Sequence, residues 1–421
     1  MLTVTAKTRS PSPFLHEPLP KSQNPNPKPS ISQQIHCFNG SYHKPTYQTE
    51  RGLQFETEDT FFRHESATGR DLGVLSAALY KQSKQQLRVL DVMCGCGIRS
   101  LRYLAEAKAD FVMANDGNDA HRRVILGNLK SIERGSGDEK RWVVTHFDAN
   151  RVLSECYLKR EFFDLIDIDS FGSDSSFLRT VFNAVKRDGL LYLTSTDGYS
   201  SGGHRPNNSL ASYGAYILPM PYSNEIGLRM LIGGAVREAS AQGYHVSPLF
   251  SYYSYHGPVF RVMLRVHRKA LPDNRHYGFI SYCNHCGNSQ AYSWEELGQM
   301  SCPCRPLWTG PLHDATHITK MLNLAEKWGW VGDGTGTDLE KLLSRMIDES
   351  DPRLPFGYIK LDEMASRAKM NSPSLKTMMS AVQKEGYVAS RSHIASNAIK
   401  TNCPMVACIR IAKELQGCQK N

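Results

Sequence analysis

The chain has 421 residues, a formal net charge of +9, 40% hydrophobic residues and eleven cysteines. That length exceeds one compact domain, so two domains and a tail are expected, and no stretch approaches the roughly 18 consecutive apolar residues of a membrane span. The charge is spread out, with five basic residues against Glu17 and Glu50 in the first fifty, 28 against 24 over residues 51–270 and 17 against 15 over 271–421; it permits a nucleic-acid partner without demanding one.

Residues 1–50 are rich in Pro, Ser, Thr and Asn, poor in acids, and without apolar periodicity. Such a composition suits an organelle transit peptide, and the scarcity of arginine, with Arg9 alone, points to the chloroplast before the mitochondrion. A disordered tail with no address, leaving the protein in the nucleus or cytoplasm, is the alternative. Next comes F-F-R-H-E-S-A-T-G-R-D-L-G-V-L, from Phe61 to Leu75.

Arg88 to Ser100, R-V-L-D-V-M-C-G-C-G-I-R-S, is the stretch around which the chain is organised. Leu87, Val89, Leu90 and Val92 read as a buried parallel strand, Gly95 and Gly97 admit positive φ, and Leu101 to Ala107 reads as a helix. The turn resembles the D-x-x-x-G-x-G motif of S-adenosylmethionine-dependent methyltransferases, which implies Asp91, Gly95 and Gly97 at the cofactor. A dinucleotide fingerprint is disfavoured, because Ser100 stands where its third glycine belongs. Cys94 and Cys96 read as small packing residues of the turn, not as nucleophiles or metal ligands.

A second apolar run, Phe111 to Ala114, ends in Asn115-Asp116, and an acid there is placed to bind ribose hydroxyls. The third run, Trp142 to Thr145, leads into His146-Phe147-Asp148-Ala149, where Asp148 and Ala149 are expected to clamp an adenine amino group. Phe163 to Ile168 forms a fourth strand and delivers Asp169-Ser170-Phe171-Gly172 to the carboxyl edge of the sheet. D-S-F-G resembles the [D/N]-P-P-[Y/F] motif of methyltransferases that modify exocyclic amino groups. The lone pair of such an amine is delocalised into the ring, so a carboxylate must hold its N–H groups and accept the proton, and an aromatic face must fix the plane of the base. Asp169 and Phe171 suit those two roles.

Leu190 to Thr194 reads as a further strand, Glu225 to Gln242 as a long helix and Arg261 to Val266 as a closing strand. On these residues the chain resembles the tRNA guanine-N2 dimethyltransferases. Phe61, Arg70 and Asp71 align with the family's F-Y-N-P and N-R-D block, and G-I-R with Arg99, N-D with Asp116, Asp148-Ala149, T-S-T-D ending in Asp197, S-Y-G-A-Y, N-E-I-G-L-R and Y-S-Y-H follow in the family's order. The resemblance implies a class I, Rossmann-like α/β methyltransferase domain over residues 51–270, with Phe61 enclosing the target guanine and Arg70 meeting the cofactor's carboxylate. An ordinary amphipathic helix with an exposed Arg70 is the alternative for that segment. Ser170 replaces the family's proline, and Arg63-His64 its N-P, both at the target-base pocket; a freer serine hydroxyl is expected to reach the base or the Asp169 carboxylate.

Residues 271–421 are expected to form an α+β tRNA-binding domain. Cys283-x-x-Cys286, fifteen residues and then Cys302-Pro-Cys304 resemble a zinc ribbon with a shortened second knuckle, which implies a structural zinc. Leu312-His313 resembles the family's G-P-L-W segment. Tyr358 to Lys369 and Ser372 to Glu385 read as two helices, the second started by Ser372-Pro373, and the last block resembles T-H-x-x-x-x-x-I-K-T. That is a winged-helix-like module on which Arg391, His393 and above all Lys400 are expected to meet phosphates. The expected activity is methylation of a guanine N2 in tRNA, giving N2-methyl- and N2,N2-dimethylguanosine, with no membrane and no obligate protein partner. Another organellar RNA as substrate, or a paralogue that only binds tRNA, are the rivals.

Overall fold

The computed structural model describes residues 47–418 apart from 134–139, 174, 268–275, 301 and 333–337. Nearly all of the N-terminal tail, and the boundary expected near residue 270, lie outside the described residues. Residues 45–421 form one compact unit.

The chain opens with a hairpin of β1 (Tyr47–Glu50) and β2 (Leu53–Glu56), then α1 (Ala67–Lys84). Alternating units follow: β3 (Arg88–Asp91), α2 (Ile98–Ala105), β4 (Phe111–Asn115), α3 (Arg122–Leu129), β5 (Trp142–Thr145), α4 (Ala149–Lys159), β6 (Phe163–Asp169), α5 (Ser175–Val181) and β7 (Val185–Ser195). After α6 (Gly198–Ser201), α7 (Pro206–Tyr213) and α8 (Ser223–Ala241), strands β8 (His245–Ser254) and β9 (Val259–His267) complete a seven-stranded sheet of order β5-β4-β3-β6-β7-β9-β8. The first five of its strands by sequence are mutually parallel, and β9 runs antiparallel to both β7 and β8. This is the class I methyltransferase fold that the motifs imply. The edge strand β8, whose pattern was not foreseen, pairs with β9 and so makes β9 an interior strand of the sheet.

Adjacent residues of a central strand serve opposite cores, as the two-residue period of a strand requires. Leu165, Leu190 and Tyr192 pack with Leu72, Leu101 and Ile125 of α1, α2 and α3, while Ile166, Leu191 and Leu193 pack with Leu153, Leu178 and Leu231 of α4, α5 and α8. Each such fully buried apolar side chain contributes about 1.5–3 kcal/mol relative to exposure, which is why both faces read as continuous apolar runs.

The remaining elements do not hang from the sheet as a tethered body. Strands β10 (Tyr277–Tyr282), β11 (Ser289–Tyr292) and β12 (Cys304–Trp308) form a small antiparallel sheet, and Leu307 and Trp308 enter the α8 core. Helices α9 (Ala315–Lys327) and α10 (Asp338–Asp348) instead cover α1 on the other face through Ile318, Met321 and Leu343. The end of the chain is β13 (Ile359–Lys360), α11 (Leu361–Ala368), α12 (Leu375–Lys384), β14 (Ala389–Arg391), β15 (Ala398–Thr401) and α13 (Met405–Cys418), with its own core of Met364, Met378, Ile399 and Ile411. The first of the two expected helices starts only at Leu361, because Ile359 and Lys360 pair with β15. The second is capped by Ser374, whose Oγ accepts from Thr377 N at 3.2 Å, and not by Ser372-Pro373.

Candidate functional site

A cavity of about 620 Å3 opens at the carboxyl edge of the sheet, where strand order reverses about β3, the usual ligand position in open α/β folds. Its floor is the turn after β3. Gly95 and Gly97 adopt φ of +54° and +83°, and a Cβ on Gly97 would press to 3.4 Å from the Ile125 side chain. The turn is stitched to its neighbours: Cys94 N donates to Asn115 O at 2.8 Å, and Asn115 Nδ2 donates to the carbonyls of Val92 and Phe147, both at 2.9 Å. Burial pushes the Cys94 and Cys96 thiols above their ordinary range, which suits packing and not nucleophilic attack.

Asp116 leaves β4 into the cavity. Its Oδ2 accepts from Gly95 N at 2.9 Å and its Oδ1 from Asn118 N at 2.9 Å, with His121 Nδ1 at 3.1 Å. A carboxylate offers about four acceptor sites, so these contacts orient Asp116 and leave capacity for a hydroxyl. Gly117, Asn118 and His121 line the wall beside it. Asp148 and Ala149 do not line the cavity. Asp148 caps α4, accepting from Arg151 N at 3.1 Å, and Ala149 is buried in the core.

Asp91 lies beneath the cavity and not in its wall. It pairs in register with Asp167 on β6, both fully buried. Asp167 accepts from Arg99 Nη1 at 2.9 Å and Tyr103 Oη at 2.6 Å, whereas Asp91 accepts from Ser100 Oγ at 2.7 Å. Burial, then the neighbouring Asp167 carboxylate, pushes the Asp91 carboxyl up to about 8. Asp167 has the Arg99 guanidinium to offset its charge and Asp91 has no cation bonded to it, so of the two Asp91 is the one that favours the protonated form.

Asp169 stands at the end of β6 with its side chain 27% exposed. Arg99 Nη2 donates to its Oδ2 at 2.7 Å, and Arg261 Nη1 approaches Oδ1 at 3.5 Å. Burial pushes this carboxyl up, but Arg99 and then Arg261 outweigh it and hold it at about 2. Arg261 was not read as a site residue from the sequence; the one available signal was a cation within the apolar strand F-R-V-M-L. It reaches the site because α1 has Gly69 in its path, where a Cβ would lie 2.4 Å from Arg261 Nε.

Phe171 and Phe61 flank the carboxylate, 68% and 57% exposed, in edge-to-face contact with centroids 4.6 Å apart. Arg63 places its guanidinium 5.0 Å from the Phe61 centroid. Ser170 differs from expectation: its Oγ is turned to Thr194 O at 3.0 Å and is buried, so it anchors the loop to β7 and does not reach for the base. Gly172 extends the anchor, its N bonding Thr196 Oγ1 at 2.6 Å and its O accepting from Ser195 Oγ at 2.8 Å. Arg70 lines the cavity from α1, which is indeed a helix, but it is buried. Its Nε donates to Glu50 Oε2 at 2.9 Å and its Nη2 to Arg63 O at 2.9 Å.

Lys400 is not at the surface. Its ammonium donates to Glu225 Oε2 at 2.6 Å and Gly357 O at 3.0 Å, with side-chain exposures of 4% and 0% for the pair. A cation so enclosed cannot meet a phosphate; it locks the terminal module to α8. The His393 side chain is likewise enclosed, its Nδ1 2.9 Å from Glu349 Oε2. Glu349 also faces His313 Nε2 at 3.6 Å, and among the described residues these three form the one His/Cys/Asp/Glu group whose ligand atoms lie within 4.8 Å of one another. His313 Nδ1 accepts from Ser251 N at 3.3 Å, so the neutral ring carries its proton on Nε2, towards Glu349, and has no lone pair to offer there. Arg391 is exposed.

The four cysteines sit where β10, β11 and β12 begin or end. Hydrogen bonds from the Cys286 backbone and thiol, the His285 backbone and the Cys302 thiol hold the Cys283 thiol down at about 7. Cys304, the first residue of β12, donates its thiol to Cys302 O at 3.1 Å, and among the described residues no three of the four sulfurs lie within 4.8 Å of one another.

A family model described as N2,N2-dimethylguanosine tRNA methyltransferase matches residues 44–413. Among curated proteins, the chain is 30% identical over 345 residues to the tRNA (guanine(26)-N(2))-dimethyltransferase of Pyrococcus horikoshii, covering 78% of this chain and 86% of that one. It is 29% identical over 370 residues to the enzyme of the same name from Saccharolobus solfataricus, covering 85% and 91%. Among solved structures, that of Trm1 from Pyrococcus horikoshii with S-adenosyl-L-methionine superposes with a TM-score of 0.75 at 26% identity, covering 87% of this chain and 99% of that one.

Proposed function

As a member of the N2,N2-dimethylguanosine tRNA methyltransferase family, the chain uses S-adenosylmethionine to methylate the N2 amino group of a guanine in tRNA, and we propose that it does so in this cavity with Asp169 receiving the amino N–H. The observation that carries the proposal is the position of Asp169, ionised between Arg99 and Arg261 and flanked by Phe61 and Phe171. S-adenosylmethionine supplies the methyl group. The two arginines fix the carboxylate, the rings hold the base in plane, and Asp169 accepts the N–H bonds that strengthen as positive charge develops on N2. A carboxylate held near 2 is a weak base, but an aryl ammonium is a far stronger acid than the amine, so proton transfer runs downhill once the C–N bond forms.

For the cofactor, the cavity's volume falls in the ordinary range for such ligands. We assign its ribose to Asp116, its methionine end to the Gly95–Gly97 turn with Arg70 at the carboxylate, and its adenine end to Gly117, Asn118 and His121 in place of Asp148 and Ala149. The relatives are named for guanine 26, and we propose the same nucleotide here. The test is the purified full chain with labelled cofactor and tRNA transcripts, followed by nucleoside analysis. One- and two-methyl guanosine at position 26 is the expected product, and label elsewhere would refute the assignment.

Three finer readings accompany it. The β10–β12 sheet would hold a structural zinc through Cys283, Cys286, Cys302 and Cys304, the turns that carry them drawing the sulfurs together around the ion; the acidified Cys283 thiol supports this, and one zinc per chain by elemental analysis, lost in Cys283→Ser, checks it. The α11 to β15 segment serves as a winged-helix-like tRNA contact with Arg391 exposed on it, checked by a weaker salt dependence of tRNA binding in Arg391→Ala. The composition of residues 1–50 supports import into chloroplasts, checked by fusing them to a fluorescent protein.

A further inference from the structure

Beside the cavity wall formed by Pro258 stand exposed rings that methyl transfer does not use. Tyr199, in the four-residue α6, is 63% exposed. The Arg205 guanidinium lies 4.8 Å from its centroid, and His204 meets it edge-on at 6.1 Å. This insertion between β7 and α8 is pinned to the cavity wall: a Cβ on Gly198 would come within 2.7 Å of the Pro258 side chain, and Pro258 itself lines the cavity. Tyr255, 78% exposed, projects from the same β8–β9 turn as Pro258. The carboxylate nearest in sequence, Asp197, is engaged in capping α6 through Ser200 N at 3.0 Å.

Leaving a tyrosine ring in water gains nothing for folding, and a guanidinium laid on one face leaves the opposite face for another flat group. A guanine that reaches Asp169 must also leave its stack, which strips a neighbouring base of one stacking partner. We propose that Tyr199 and Arg205 form a second nucleotide subsite, which takes the RNA nucleotide next to the target guanine by stacking its base on Tyr199 and meeting its phosphate with Arg205. Base–aromatic stacking suits that task because every base has a π-face, so the subsite works on tRNAs of differing sequence. The inference rests on the reading that the cavity holds a guanine of tRNA.

The test compares full-length wild type with Tyr199→Ala, Tyr199→Trp and Arg205→Ala, using labelled cofactor and tRNA transcripts carrying 2-aminopurine on either side of the methylated guanine. Tyr199→Ala should raise KM for tRNA about tenfold or more, with kcat and cofactor affinity within about twofold, and Tyr199→Trp should restore KM. Wild type should quench one of the two 2-aminopurine probes and Tyr199→Ala neither. Arg205→Ala should lower the salt slope of tRNA binding by about one. An unchanged KM in Tyr199→Ala, or a loss of cofactor binding with it, would overturn the subsite. A wild type that methylates no tRNA would overturn the reading of the cavity instead.

Discussion

Arg99 Nη2 donates to Asp169 at 2.7 Å while its Nη1 donates to the fully buried Asp167 at 2.9 Å. One guanidinium fork thus ties the exposed end of β6 to an acid two residues back in the core, and Tyr103 donates to the same oxygen of that acid at 2.6 Å. The Asp169 carboxylate, on the last residue of β6 and paired there with Thr194, therefore inherits the rigidity of the sheet. Charge-assisted bonds of this kind are the strong ones, and they set the protonation state as well as the position.

Asp169→Asn is expected to reduce methyl transfer by at least about a hundredfold while cofactor affinity stays within about threefold, since an amide can hold the amine but cannot take its proton. Single-turnover rates beside calorimetric cofactor titration decide it. Activity near wild type would remove Asp169 from the mechanism.

The same carboxyl sets a pH dependence. Its folded value of about 2 lies below the ordinary 3.8, so its contribution to stability is present above about 4 and is lost as pH falls through 2. Wild type should lose about 2 kcal/mol more than Asp169→Asn between pH 5 and pH 2, read from urea midpoints. Parallel pH curves for the two proteins would mean that Arg99 does not hold an ionised acid.

Asp116→Ala should weaken cofactor binding by about 1.5–3 kcal/mol, the range for a hydrogen bond to a charged group, with tRNA binding little changed. The Gly95 turn also loses its anchor at 2.9 Å, so the effect belongs at the upper end. An unaltered cofactor affinity would place the ribose elsewhere.

For Ser170, the buried bond to Thr194 O replaces the rigidity a proline ring would give. Ser170→Ala should lower kcat several-fold with cofactor affinity kept, and Ser170→Pro should recover most of it by locking φ. The ratio of one-methyl to two-methyl product should not move in either, because the hydroxyl faces β7 and not the base. A shifted ratio in Ser170→Ala would show that the hydroxyl reaches the substrate.

Lys400→Ala should cost about 3 kcal/mol of stability, as expected when one partner of a buried ion pair is removed, with Arg229 at 2.8 Å moderating the stranded Glu225. At temperatures where the variant is folded, tRNA affinity and its salt slope should match wild type. A reduced slope at full stability would return Lys400 to the phosphate-binding role its motif suggested.

Local pattern by itself determined much of this protein. The apolar run ending at Asp91, the two glycines and the spacing to Asp116 and Asp169 are covalent facts of one strand-turn-helix repeat, and a parallel sheet places the ends of such strands at one edge. Hence the glycine turn after β3, the carboxylate at the end of β6 and the family resemblance were legible. What lay beyond reach was whatever depends on which side chain fills a space between elements distant in sequence. Arg261 joins Asp169 across 92 positions because Gly69 clears its path, Lys400 meets Glu225 across 175, and Ser170 turns to Thr194 because β7 offers a carbonyl there. A motif gives a cation no direction. Only the packed structure decides whether a lysine faces phosphate or a buried acid, because the cost of enclosing a charge is met by a partner that the chain supplies from elsewhere.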